Sequence, residues 1–199
     1  MTRNKWMLVA LAGAIAMAGS AAAQQHGSDS EAFLTAIREG DGTAANEIAS
    51  RQGSTVVNYR GYDGSTPLTI AMTARNSVYV GFLLGRGALP DLPDKKGDTA
   101  LIIAARSGFS DGVKTMIDYH ARIDAANRQG ETALILAVQG RFPRIVRTLL
   151  ENGANPDKSD IAAGYSARDY ARRDSRNPEM MRMIETVKST RRAISGPTR

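Results

Sequence analysis

Four glycines, Gly64, Gly97, Gly130 and Gly164, stand 33, 33 and 34 residues apart, and each opens a similar stretch of chain. The stretches read Gly64-Ser-Thr-Pro-Leu-Thr-Ile-Ala71, Gly97-Asp-Thr-Ala-Leu-Ile-Ile-Ala104, Gly130-Glu-Thr-Ala-Leu-Ile-Leu-Ala137 and Gly164-Tyr-Ser-Ala-Arg-Asp-Tyr-Ala171. A second signature follows the first three, as Phe82-Leu-Leu-Gly-Arg-Gly-Ala88, Met116-Ile-Asp-Tyr-His-Ala121 and Leu149-Leu-Glu-Asn-Gly-Ala154. A unit this short cannot bury an apolar face alone. It does so only against the next unit, so the chain must form a one-dimensional stack.

The residue types predict two helices per unit. Thr66, Thr99, Thr132 and Ser166 sit where a hydroxyl caps a helix by accepting from a free backbone N–H. Pro67 falls at the first helical position, where its missing N–H costs nothing. Leu68, Leu101 and Leu134 share a face with Ala71, Ala104 and Ala137, and the alanines let neighbouring helices approach closely. Val80-Leu83-Leu84, Val113-Met116-Ile117 and Val146-Leu149-Leu150 make the apolar stripe of a second helix. Gly87 and Gly153 end that helix in the left-handed conformation, and His120, which tolerates it, ends the one between. Asp94-Lys95-Lys96-Gly97 and Asn127-Arg128-Gln129-Gly130 read as tight turns with glycine at positive φ.

This pattern resembles the ankyrin repeat, G-x-T-P-L-H-x-A-A…G…V-x-x-L-L-x-x-G-A. The resemblance implies an all-α solenoid of stacked helix-turn-helix units with β-hairpin-like fingers. About five repeats would span 31–194, including a degenerate cap around Phe33–Ile37 and Ile48–Gly53 and a last helix starting at Asn177-Pro178-Glu179. It also implies a monomeric scaffold that takes a protein partner on its fingertips and concave groove. Those positions map here to Tyr62, Asp63, Lys95, Lys96, Asp98, Arg106, Ser107, Arg128, Gln129, Glu131 and Gln139. The chain departs from the family where Thr69, Ile102 and Ile135 replace a histidine, and where Arg75 and Arg141 replace a loop glycine.

The ends carry their own signals. Arg3 and Lys5, an apolar run from Trp6 to Ala18 and the small residues Ala21-Ala22-Ala23 have the layout of a secretory signal peptide. The alternative, an uncleaved anchor, would need a longer apolar run. With no twin arginine before the run and no cysteine after it, the expectation is export by the general route to the periplasm or beyond. Cleavage near Ala23 leaves 24–199, with 24–30 a polar linker and 195–199 a frayed tail.

Residues 24–167 hold 15 basic against 16 acidic side chains, whereas 168–199 hold nine against four. The positive charge is therefore expected at the end of the stack, which argues against a nucleic-acid partner. Arg182, Lys188, Arg191 and Arg192 on the last helix are either a solvated cap face or a contact for anionic lipid headgroups.

Catalytic chemistry finds few parts. The chain has no cysteine and two histidines, His26 and His120. No phosphate loop or calcium loop is present, and no enzyme or cofactor is expected. A mature Gln24-Gln25-His26 terminus could hold Cu(II) through the amine and imidazole, in a metal-handling or stress-protective envelope protein; the alternative is a polar tail. Met180, Met181 and Met183 fit core packing on a helix better than soft-metal ligation.

Overall fold

The computed structural model describes residues 29–51 and 54–194, with side chains through residue 186. The expected export signal, His26, the basic side chains beyond residue 186 and the tail 195–199 lie outside the described residues. Helices alternate between two rows. The first row holds α1 (29–39), α3 (Pro67–Thr73), α5 (Ala100–Arg106), α7 (Ala133–Gln139) and α9 (Ala167–Arg173). The second holds α2 (Gly42–Ala49), α4 (Ser77–Gly85), α6 (Ser110–Asp118), α8 (Pro143–Glu151) and α10 (Pro178–Ile194). A 3-10 turn, Val56–Asn58, leads from the front cap into the first finger. Helix α1 is already formed at Asp29 and Ser30, two residues ahead of the expected domain start at 31, and Arg51 pairs with Asp29 at 2.5 Å.

Each first-row helix begins as its hydroxyl dictates. Thr66, Thr99, Thr132 and Ser166 accept from the backbone N–H of Thr69, Ile102, Ile135 and Asp169. Thr69, in the family's histidine position, closes a reciprocal capping box with Thr66 rather than reaching the next repeat. Leu101, Leu134, Ala104 and Ala137 are fully buried, as are Val113, Met116, Val146 and Leu149 from the second row. Each large aliphatic so enclosed contributes about 1.5–3 kcal/mol. Met180 and Ile184 of α10 join the same core, so the methionine stripe closes the stack.

Successive first-row helices pack directly on one another, whereas in the second row α4, α6 and α8 touch at few points and α10 alone packs closely on its neighbour α8. The stack is therefore concave on the first-row side. The fingers project at the start of each first-row helix and are closed by backbone bonds Gly61 N→Ser65 O, Asp94 N→Asp98 O, Asn127 N→Glu131 O and Asp160 N→Tyr165 O. Their pairing amounts to isolated bridges, Ala126 with Thr132 and Ser159 with Ser166.

Neighbouring fingers are stapled together. The Arg128 N–H donates to Lys96 O at 3.1 Å, and the Ile161 N–H donates to Gln129 O at 2.8 Å. This approach explains the alignment glycines beyond their turn geometry. At Gly97, with φ +82°, a Cβ would lie 2.9 Å from the Arg128 nitrogen, and at Gly130 it would lie 2.7 Å from the Ile161 nitrogen. Gly164, with no further finger among the described residues, meets nothing within 4 Å and answers to its positive φ alone.

A second set of ties runs along the loops. Asn58, Asp91 and Asp124 each accept from a backbone N–H 31 residues later, at Leu89, Arg122 and Asn155. Arg75 and Arg141 adopt φ of 53° and 56° in place of glycine. The strain is offset by bonds to the next repeat, from Arg75 to Ser107 O and from Arg141 to both Asp174 oxygens. His120, at φ 58°, takes the left-handed conformation expected of it.

Candidate protein-binding surface

The fingertips and the C-terminal ends of the first-row helices lie on the concave side. Of the eleven positions mapped onto them, the structure leaves some open and commits others to the fold. Tyr62 is 90% exposed at the first tip, and Lys95, Lys96, Arg128, Gln129 and Gln139 are also exposed. Ser107 is half-buried, its carbonyl taken by Arg75 and its hydroxyl donating to Ala104 O. Asp63 is exposed but accepts from Ser65 and pairs with Arg38 at 2.6 Å.

Asp98 is not open to a partner. Expected to meet a partner, it is 1% exposed and holds two repeats together. Its carboxylate accepts from both Arg106 terminal nitrogens and, at 2.9 Å, from the Asn127 amide. Burial alone would raise the Asp98 carboxyl. Hydrogen bonds from Arg106 and Asn127, with the charges of Arg106 and Lys96, outweigh it and hold the group below the usual carboxylate range. Glu131 accepts from Asn127 at 2.8 Å and lies 3.4 Å from Arg106. Arg106 and Glu131 are thus members of an inter-repeat network, and their capacity for an outside partner is largely spent.

Two features of this surface carried weaker sequence signals. Ile161, 77% exposed, is the apolar tip of the fourth finger. Arg173 and Arg176, counted as part of a basic tail, line a concave-side cleft of about 440 Å³ with Gln139, Arg141 and Tyr170. The positive charge therefore enters the groove at its C-terminal end. Beneath it, Asp160 accepts from the Tyr170 hydroxyl at 2.6 Å and from the backbone N–H of Ala163 and Gly164. Burial would raise the Asp160 carboxyl, but these donors hold it low.

Among the described residues, no group of three His, Asp or Glu side chains converges to hold a metal ion, and no helix is long and apolar enough to cross a membrane. What remains is a rigid comb of side chains at a fixed pitch over a shallow concave floor, the surface of a repeat solenoid built for recognition. The chain belongs to the ankyrin-repeat family: the family model described as Ankyrin repeats (3 copies) matches residues 7–127 and 79–160. Among curated proteins it is similar to ankyrin repeat domain-containing protein 63 of Mus musculus, 32% identical over 89 residues covering 43% of this chain and 23% of the relative. The Homo sapiens protein of the same name is 30% identical over the same share of each chain. The match thus spans about a quarter of the length of these relatives.

Proposed function

We propose that this protein is a non-enzymatic scaffold that acts after export, in the periplasm or outside the cell, and binds another protein through its fingertips and concave groove. The observation that carries the binding reading is the row of exposed tips, Tyr62, Lys95, Lys96, Arg128, Gln129 and Ile161, on fingers tied to one another, the first by the Arg60 side chain to Asp94 O and the other three through their backbones. Prepaid ordering of that kind lowers the entropic cost of association. Export rests on the basic start, apolar run and Ala21-Ala22-Ala23 of the sequence.

A photoreactive side chain placed in turn at Lys96 and Arg128, and as controls at Lys114 and Arg147 of the second row, tests the binding reading in cells. A discrete protein adduct is expected from the finger positions. Adducts from the second-row positions alone would overturn it. Cell fractionation with N-terminal sequencing tests export; the expected product begins at Gln24, and an unprocessed cytoplasmic chain would count against it.

A further inference from the structure

Arg173 in the last repeat is the positional counterpart of Arg106, each nine residues after its alignment glycine, Gly164 or Gly97. Both side chains reach back along the concave floor to the residue that follows that glycine. For Arg106 this is Asp98, a buried carboxylate that cancels its charge. For Arg173 it is Tyr165, whose hydroxyl accepts at 2.5 Å and whose ring centroid lies 4.4 Å from the guanidinium carbon. A tyrosine orients a guanidinium without neutralising it.

The same imbalance extends along the surface from the second finger to the last repeat. Its acids are taken up internally: Asp98 and Glu131 by Arg106 and Asn127, Asp160 by Tyr170, Asp174 by Arg141. Beyond Arg106 and Arg141, its cations are not. Lys95, Lys96, Arg128, Arg173 and Arg176 form no ion pair within 4.0 Å among the described residues. The cleft around Arg173 and Arg176 is open, about 440 Å³, with Gln139 and Val138 beside it.

The geometry points to an acidic segment of the partner protein as the ligand of this groove, its carboxylates received by Arg173 and Arg176 in the cleft and by Lys95, Lys96 and Arg128 on the fingers. This rests on the reading of the groove as a protein-binding surface. Guanidinium forks match carboxylates geometrically, and a cation-rich groove speeds the encounter with an acidic chain. A single-stranded nucleic acid fits less well, because bases need open aromatic faces. Here Arg173 covers the Tyr165 ring, and Tyr170 meets Tyr165 edge-on at 5.6 Å with its hydroxyl committed to Asp160.

A random peptide library selected on the full chain, with each enriched peptide then measured by fluorescence anisotropy, tests the assignment. Enrichment in Asp and Glu is expected, with binding that falls as salt rises. Arg173→Ala with Arg176→Ala, and separately Lys95→Gln with Lys96→Gln and Arg128→Gln, should each weaken it about tenfold or more. Tyr165→Asp is the sharper variant: it keeps Arg173 but gives it the partner that Arg106 has, and should weaken binding comparably, with folding checked by circular dichroism. Neutral or basic peptides that still depend on these residues would overturn the acidic assignment and leave the groove as a binding surface. Peptides indifferent to all the variants would overturn both. Tighter binding of an oligonucleotide of equal charge would overturn the assignment in favour of nucleic acid.

Discussion

The repeat that opens at Gly97 and the one that opens at Gly164 use the same positions for different ends. In the inner repeat, Gly97 must admit the next finger, Asp91 caps a backbone N–H in the next loop, and Arg106 is clamped by Asp98. In the outer repeat no next finger follows among the described residues. Gly164 has open space around it, Asp157 takes Arg168 of its own unit at 2.6 Å, and Arg173 rests on Tyr165. Inner positions answer to two neighbours and outer positions to one, so the outer repeat can release side chains for recognition that the inner one must spend on cohesion.

The largest expected effect is at the glycines. Gly97→Ala should cost about 2–5 kcal/mol, combining left-handed strain with the clash against the Arg128 backbone. Gly164→Ala should cost about 1–2 kcal/mol, from the strain alone. Equal shifts in urea midpoint for the two would break the comparison. Next comes Asp98→Ala, which removes the buried acceptor of Arg106 and Asn127, leaves them only Glu131, and should cost about 1–3 kcal/mol.

The pH dependence follows from the same group. The Asp98 and Asp160 carboxyls are held below their ordinary value in the folded chain. Their contribution is therefore present above the unfolded pKa of about 4 and is lost as pH falls through the lower folded values. Thermal unfolding followed from neutral pH to below pH 4 should show a steep loss that Asp98→Asn makes shallower. Tyr170→Phe should be milder, about 1 kcal/mol, since Asp160 keeps its backbone donors. Arg176→Ala, at an exposed position with no ion pair among the described residues, should move stability by no more than about 0.5 kcal/mol in either direction. A large loss there would return Arg176 to the fold and weaken its place in the groove.

The fold was legible because its signals are local. A threonine two residues after a glycine caps a helix wherever the chain sits, and Leu and Ala at fixed offsets bury themselves once the stack exists. The site was legible only in part. Asp98 follows the finger glycine and reads as a surface acid; its burial depends on Asn127, 29 residues away. The 33-residue series Asn58, Asp91, Asp124 was present in the sequence. Its reach into the next loop follows from how closely the repeats nest. Arg173 and Arg176 fall in the basic end of the chain when charge is summed along segments, whereas a solenoid sorts charge by face.

The fourth finger closes from Asp160 to Tyr165, one residue longer than the Asn127–Glu131 finger before it. That extra residue sits where only one neighbour constrains the backbone. An insertion in the Asn127–Glu131 finger would displace the staples on both sides, whereas one beyond Ile161 meets open space. Length variation, natural or engineered, is therefore tolerated at the outermost loop. A grafted sequence there would alter what the protein recognises without renegotiating the stack.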